Sequence, residues 1–133
     1  MKPEKEKELE KKVEDNYTEE FKGNKAPKEM PYFAGMVLKF TADTFDLVQN
    51  RDPFKWLGVK TADGGLISAT ALTRNRNGLG LQGKDNAERL KNMLKLFDDS
   101  GVLQIKIKDV KTREFHQPDG AISQSNYYFF EVL

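Results

Sequence analysis

The sequence predicts a single mainly β domain that carries one short helix and follows a charged N-terminal arm. Three observations predict it. In a chain of 133 residues with 38% apolar content, most aromatic and β-branched side chains lie beyond position 30. Residues 102–110 alternate with period two, setting Leu103, Ile105 and Ile107 against Gln104, Lys106 and Lys108. Ala62-Asp63-Gly64-Gly65 separates two strand-like runs, and its Asp-Gly step supplies the positive φ angles of a tight hairpin.

Residues 1–30 form the arm. The first 29 carry eight Lys against nine acids, and Pro27, Pro31 and Gly35 interrupt any helix before the β-rich part begins. Leu9, Val13, Tyr17 and Phe21 recur every fourth residue, which fits either a helix docked by a narrow apolar stripe or a disordered arm. Residues 31–133 form the barrel- or sandwich-sized domain. Its first strand covers residues 35–41 and continues over 45–48 past an irregular point at Ala42-Asp43; a turn follows at residues 50–53. The second and third strands cover residues 54–61 and 66–72. A polar, Gly-rich loop spans residues 73–83, and Asp85 with Glu88 three residues on has the form of a capping box. Leu90, Met93, Leu94 and Phe97 then share one helix face, with Gly101 placed as the C-terminal cap. The fourth strand covers 102–110, and the last covers 126–133 after a polar loop.

Composition removes whole classes of function. With no Cys and one His, disulfide frameworks, thiolate zinc sites and multi-His metal clusters are impossible. No apolar run reaches membrane-span length and no signal-peptide segment opens the chain, so a cytoplasmic protein without membrane attachment is expected. A formal charge of +1 leaves any polyanion site as a local patch.

Two near-miss motifs overlap at residues 78–85. Gly78-Leu79-Gly80-Leu81-Gln82-Gly83-Lys84-Asp85 matches GxGxxG and most of GxxxxGK[ST]. A phosphate loop needs a hydroxyl after the Lys to ligate magnesium, and Asp85 instead brings a carboxylate better used as a helix cap. The glycines then serve a loop turning into the helix. His116 has no nucleophile or carboxylate paired with it by spacing, and Asp98-Asp99 and Asp43/Asp46 read as solvated acids. No enzyme, metal or cofactor is expected.

Aromatic and basic residues interleave in the pattern that binds single-stranded nucleic acid, with rings for bases and cations for phosphates. Leu57 and Val59 define the core face of the second strand, which turns Phe54, Trp56 and Lys60 to its other side. Phe54 and Trp56 are then either stacking rings or residues covered by the arm. Lys106 and Lys108 lie on the outer face of the fourth strand, and Lys111, Arg113, Phe115 and His116 continue into the loop beyond it. On the last strand Tyr128, Phe130 and Val132 form the charge-free core set, which leaves Tyr127 and Phe129 outside. Arg74 and Arg76 add cations in the loop after the third strand.

Three strands, a helix and two strands, with a charged loop and an aromatic strand at the end, resemble the OB-fold over residues 35–133. The resemblance implies a five-stranded Greek-key barrel with the helix between strands 3 and 4. It also implies a groove between the last hairpin loop and the loop joining the first two strands, with Arg51 and Lys55 at the second rim. The expectation is a non-catalytic single-stranded DNA-binding protein, with RNA as the lesser ligand, of a kind that serves replication, recombination or a phage. The N-terminal arm would recruit a protein partner or a second copy. The alternative is a small-barrel protein-interaction or assembly module that uses the same aromatics without nucleic acid.

Overall fold

The computed structural model describes residues 1–21, 32–51, 55–74 and 78–133, with the backbone alone at Ser125. In it part of the charged arm forms a helix, α1 (Pro3–Asn16). Its spacing of four buries Leu9 and Val13 completely, and Phe21 beyond its end is 2% exposed. These three side chains join the main apolar core, so the start of the chain is packed structure, set against the later helix α3 and the strand β2.

Among the described residues six strands make two antiparallel sheets. They are β1 (Val37–Thr41), β2 (Leu47–Asn50), β3 (Trp56–Lys60), β4 (Leu66–Ser68), β5 (Val102–His116) and β6 (Ile122–Val132). One sheet has the order β1-β5-β6 and the other β2-β3-β4. The irregular point expected at Ala42-Asp43 is where the chain leaves the first sheet for the second. A backbone bond from the Ala62 amide to the Lys39 carbonyl (2.8 Å) ties the sheets together, and the Lys60 amide bond to the Asp46 carbonyl (2.9 Å) extends the β2–β3 ladder toward that crossing. No closed barrel forms among the described residues, because β4 and β6 are edge strands that do not pair. Tyr32 stands at this opening: its hydroxyl donates to the Leu66 carbonyl, and burial followed by the neighbouring Asp63 and Tyr128 raises its pKa.

Element boundaries depart from the sequence expectation at several points, among them the end of the helix begun at Asp85, which stops at Leu94 with Lys95 as its C-terminal cap instead of Gly101. The third strand stops at Ser68, whose hydroxyl caps the Ala71 amide (3.4 Å) and starts a short helix, α2 (Ala69–Thr73), that buries Leu72. The fourth strand runs on to His116, and the last begins at Ile122 instead of Asn126. The expected charged loop is therefore largely a two-stranded ribbon, closed by a turn at residues 117–121.

The remaining helix, α3 (Asn86–Leu94), starts as expected: the Asp85 carboxylate accepts from the Glu88 amide (2.8 Å), and Leu90, Met93 and Leu94 are buried. The glycine-rich segment before it is a packing device. A Cβ on Gly78 would stand 2.6 Å from the Ala71 carbonyl oxygen, so only glycine lets this loop close on α2.

Candidate nucleic-acid interface

The outer face of β5 is set by one irregularity. Up to Ile107 the odd-numbered residues point inward, and Leu103, Ile105 and Ile107 are 2% exposed or less. A register shift between Ile107 and Asp109 then reverses the parity, so Val110 faces the core beside Tyr128 while Lys111, Arg113 and Phe115 turn outward. Strict alternation would have put Lys106 and Lys111 on opposite sides of the sheet. The bulge puts both on one face.

The register of β6 brings rings to the same face. Lys111 stands across from Tyr127, and Asp109 from Phe129, while Tyr128 and Phe130 stack at 6.1 Å on the core side. Tyr127 is the centre of the arrangement. The Arg113 guanidinium lies 5.1 Å from its ring centroid, and Arg74 at the C-terminal cap of α2 lies 4.8 Å from it. Phe115, 39% exposed, completes the group with its ring 6.2 Å from that of Tyr127. Beside it Lys111 is 5.4 Å from the Phe129 ring. A guanidinium held near a ring by its charge rather than by a carboxylate keeps N–H donors available to an anion. Among the described residues no ion pair engages Arg74, Lys106, Lys108, Lys111 or Arg113. The face, which also carries Asp109 and Glu131, can thus offer planar surfaces for stacking and cations without an ion pair for phosphate.

Other expected site residues lie elsewhere. Trp56 is 9% exposed, so its expected open stacking face is not there: the ring lies over Gly58, where a Cβ would come within 2.9 Å of Cζ3. Phe54 and Arg76 fall outside the described residues. Lys60 is exposed but belongs to the other sheet, across from Leu66. His116 pairs with Ile122 on the side of the ribbon opposite Arg113 and Phe115, and Lys108 occupies the bulge itself.

The second expected rim is already neutralised. Glu20 accepts from Arg51 and forms an ion pair with Lys55 (3.4 Å), and the Arg51 guanidinium lies 5.1 Å from the Phe21 ring. Partial desolvation pushes the Glu20 carboxyl up, but the bonds and charges of Lys55 and Arg51 outweigh it and hold the group below the ordinary carboxylate value.

Sequence reasoning missed Lys39. It shares the outer face with Val37, which stands across from Lys106 on β5. The alternation of Val37, Lys39 and Thr41 against Leu38 and Phe40 is the signal that finds it. Among the described residues no cluster of three acidic or imidazole side chains offers a metal site, and no helix is long and apolar enough to cross a membrane. Compared with known proteins, the chain matches no family model, no curated protein and no solved structure.

Proposed function

We propose that the protein is a non-catalytic single-strand nucleic-acid-binding protein, DNA before RNA, whose ligand lies along the outer face of the β5–β6 ribbon. The observation that carries this reading is Tyr127 with the Arg74 and Arg113 guanidiniums 4.8 and 5.1 Å from its ring centroid and Phe115 beside it, on a face whose cations make no ion pair among the described residues. Bases stack on such rings whatever their sequence, and the guanidinium edges and lysines meet the phosphates.

An open OB-like barrel is the architecture we propose for it. In this reading β1 and β2 act as one bent first strand, bonded on one side to β5 and on the other to β3, with α3 between the third and fourth strands of the barrel. Tyr32 and α2 stand in the gap where a closing pair between β4 and β6 would run.

The test is anisotropy of labelled oligo-deoxythymidine against increasing salt, for the native chain and for Tyr127→Ala. Affinity is expected to fall with salt by roughly 0.7 in log–log slope per phosphate met. Tyr127→Ala is expected to cost about 1–3 kcal/mol of binding, the worth of one base stack. Absence of binding at low salt overturns the reading and leaves the ribbon as a protein-contact surface.

A further inference from the structure

The outer face of β1 leads into a cleft of about 490 Å³ between that strand and the turn joining β3 to β4. It exists because the sheets are stitched only as far as the bond from Ala62 to Lys39, and before that point they part. Val37, Met36, Leu38 and Ala62 give it apolar walls, while Thr61 and Tyr32 bring polar groups. Alternation of strand hydrogen bonding turns the Val37 N–H and C=O to the same side as the Lys39 carbonyl, toward the cleft. A mainly apolar cavity of this size with a few converging polar groups is the usual form of a small-ligand site.

Two features say what would fill it. Val37 lines the cleft and is half exposed, and it stands directly across from Lys106, so cleft and ribbon share one continuous face. Lys39, exposed on that same face, adds a cation at the cleft. We infer that the cleft takes one unstacked nucleobase of the same single strand, with its phosphate at Lys39. The base lies against Val37 and Met36, and its polar edge meets the Val37 backbone. This rests on the single-strand reading of the ribbon and adds a subsite to it. Asp63 also lines the cleft, and the Thr61 hydroxyl (2.5 Å) and Gly65 amide (3.1 Å) that its Oδ1 accepts hold it ionised on the turn, so the phosphate belongs at Lys39 on the opposite wall.

The experiment is photocrosslinking of the full chain to oligo-deoxyuridine carrying 5-iodouracil, with adducts located by peptide mass spectrometry. The same oligonucleotide is titrated against native protein and Lys39→Gln. Adducts at Tyr32 or within residues 36–39 are expected, together with a salt slope lowered by roughly 0.7 in Lys39→Gln. Adducts confined to Phe115 and Tyr127 overturn the cleft inference and leave the ribbon reading intact, and a cleft that takes a peptide strand instead gives this same result. Failure to bind the oligonucleotide at all overturns both.

Discussion

The α1 side of the molecule and the β5–β6 ribbon hold positive charge in opposite ways. Around α1, carboxylates meet the cations: Lys91 pairs with Glu14 (2.5 Å), Lys5 with Glu8 (3.5 Å), and Arg51 and Lys55 with Glu20. On the ribbon Arg74, Arg113 and Lys111 rest on Tyr127 and Phe129. Exposed ion pairs add little stability, so the acids near α1 do not hold it in place; the burial of Leu9, Val13 and Phe21 does. What those acids do is cancel charge where the helix docks. The ribbon buries little, with residues 111–116 all exposed, and its cations make no ion pair among the described residues. One side is covered by its own chain, and the other is not.

The sharpest way to break this contrast is at Leu9. It is fully buried and part of the common core, so Leu9→Ala is expected to lower unfolding stability by about 2–5 kcal/mol, read by thermal or urea denaturation. Oligonucleotide affinity of the folded fraction should not change. If α1 were a loosely attached arm, the melting curve would hardly move. Tyr127→Ala should give the reverse profile, with about 1–3 kcal/mol lost in binding and little in stability, since its ring lies on the outer face.

How far these regions were legible in the sequence follows from which residues carry a period. Leu9, Val13 and Phe21 spell a helical stripe, and the capping pair Asp85 and Glu88 with Leu90, Met93 and Leu94 spell α3; both elements bury one face, and burial is what periodicity records. Beyond Val110 the ribbon buries neither face. Lys111, Arg113 and Phe115 alternate with Thr112, Glu114 and His116, all exposed, so no apolar period marks the strand and it reads as a loop. Its strand state comes from cross-strand pairing with residues 122–127. The bulge after Ile107 was equally hidden, although the switch of cations from Lys106 and Lys108 to Lys111 and Arg113 is its trace. Trp56 misled for another reason: alternation assigns a side of the sheet, but the missing side chain at Gly58 lets the ring lie down on that side.

A smaller effect separates the regions by pH. Tyr17, just past α1, has a buried hydroxyl without a hydrogen-bond partner, and its pKa is raised above the ordinary 10.0 by desolvation, with the nearby Thr73 hydroxyl opposing and Asp85 adding to the rise. A raised folded value means that the neutral phenol stabilises the fold fully below the unfolded pKa. That stability is lost as pH climbs above about 10, where the unfolded chain gives up its proton first. The native protein should therefore lose melting temperature in strong alkali, and Tyr17→Phe should lose less. Tyr32 and Tyr128, also raised by burial, keep part of the dependence in the variant. An unchanged alkaline profile in Tyr17→Phe would mean that docking of α1 does not keep this phenol neutral.

The smallest effect bears most directly on where charge is left for a ligand. Glu20 is partly exposed, and its lowered pKa means that its clamp is complete above the ordinary value of 4.5 and is lost only as pH falls through the lower folded one. At neutral pH it therefore occupies Arg51 and Lys55 throughout. Glu20→Gln should leave stability nearly unchanged, because exposed pairs contribute little. It frees two cations on the β2–β3 side without touching the ribbon. If the bound strand reaches that rim, affinity should rise a few-fold at low salt and the salt slope should steepen by up to roughly 1.4, at 0.7 for each phosphate met. If the ligand keeps to the ribbon and β1, neither should move. The second result would sharpen the division of labour, with the acids of the α1 side cancelling charge where the chain folds on itself, and the rings of the ribbon holding cations ready for a partner.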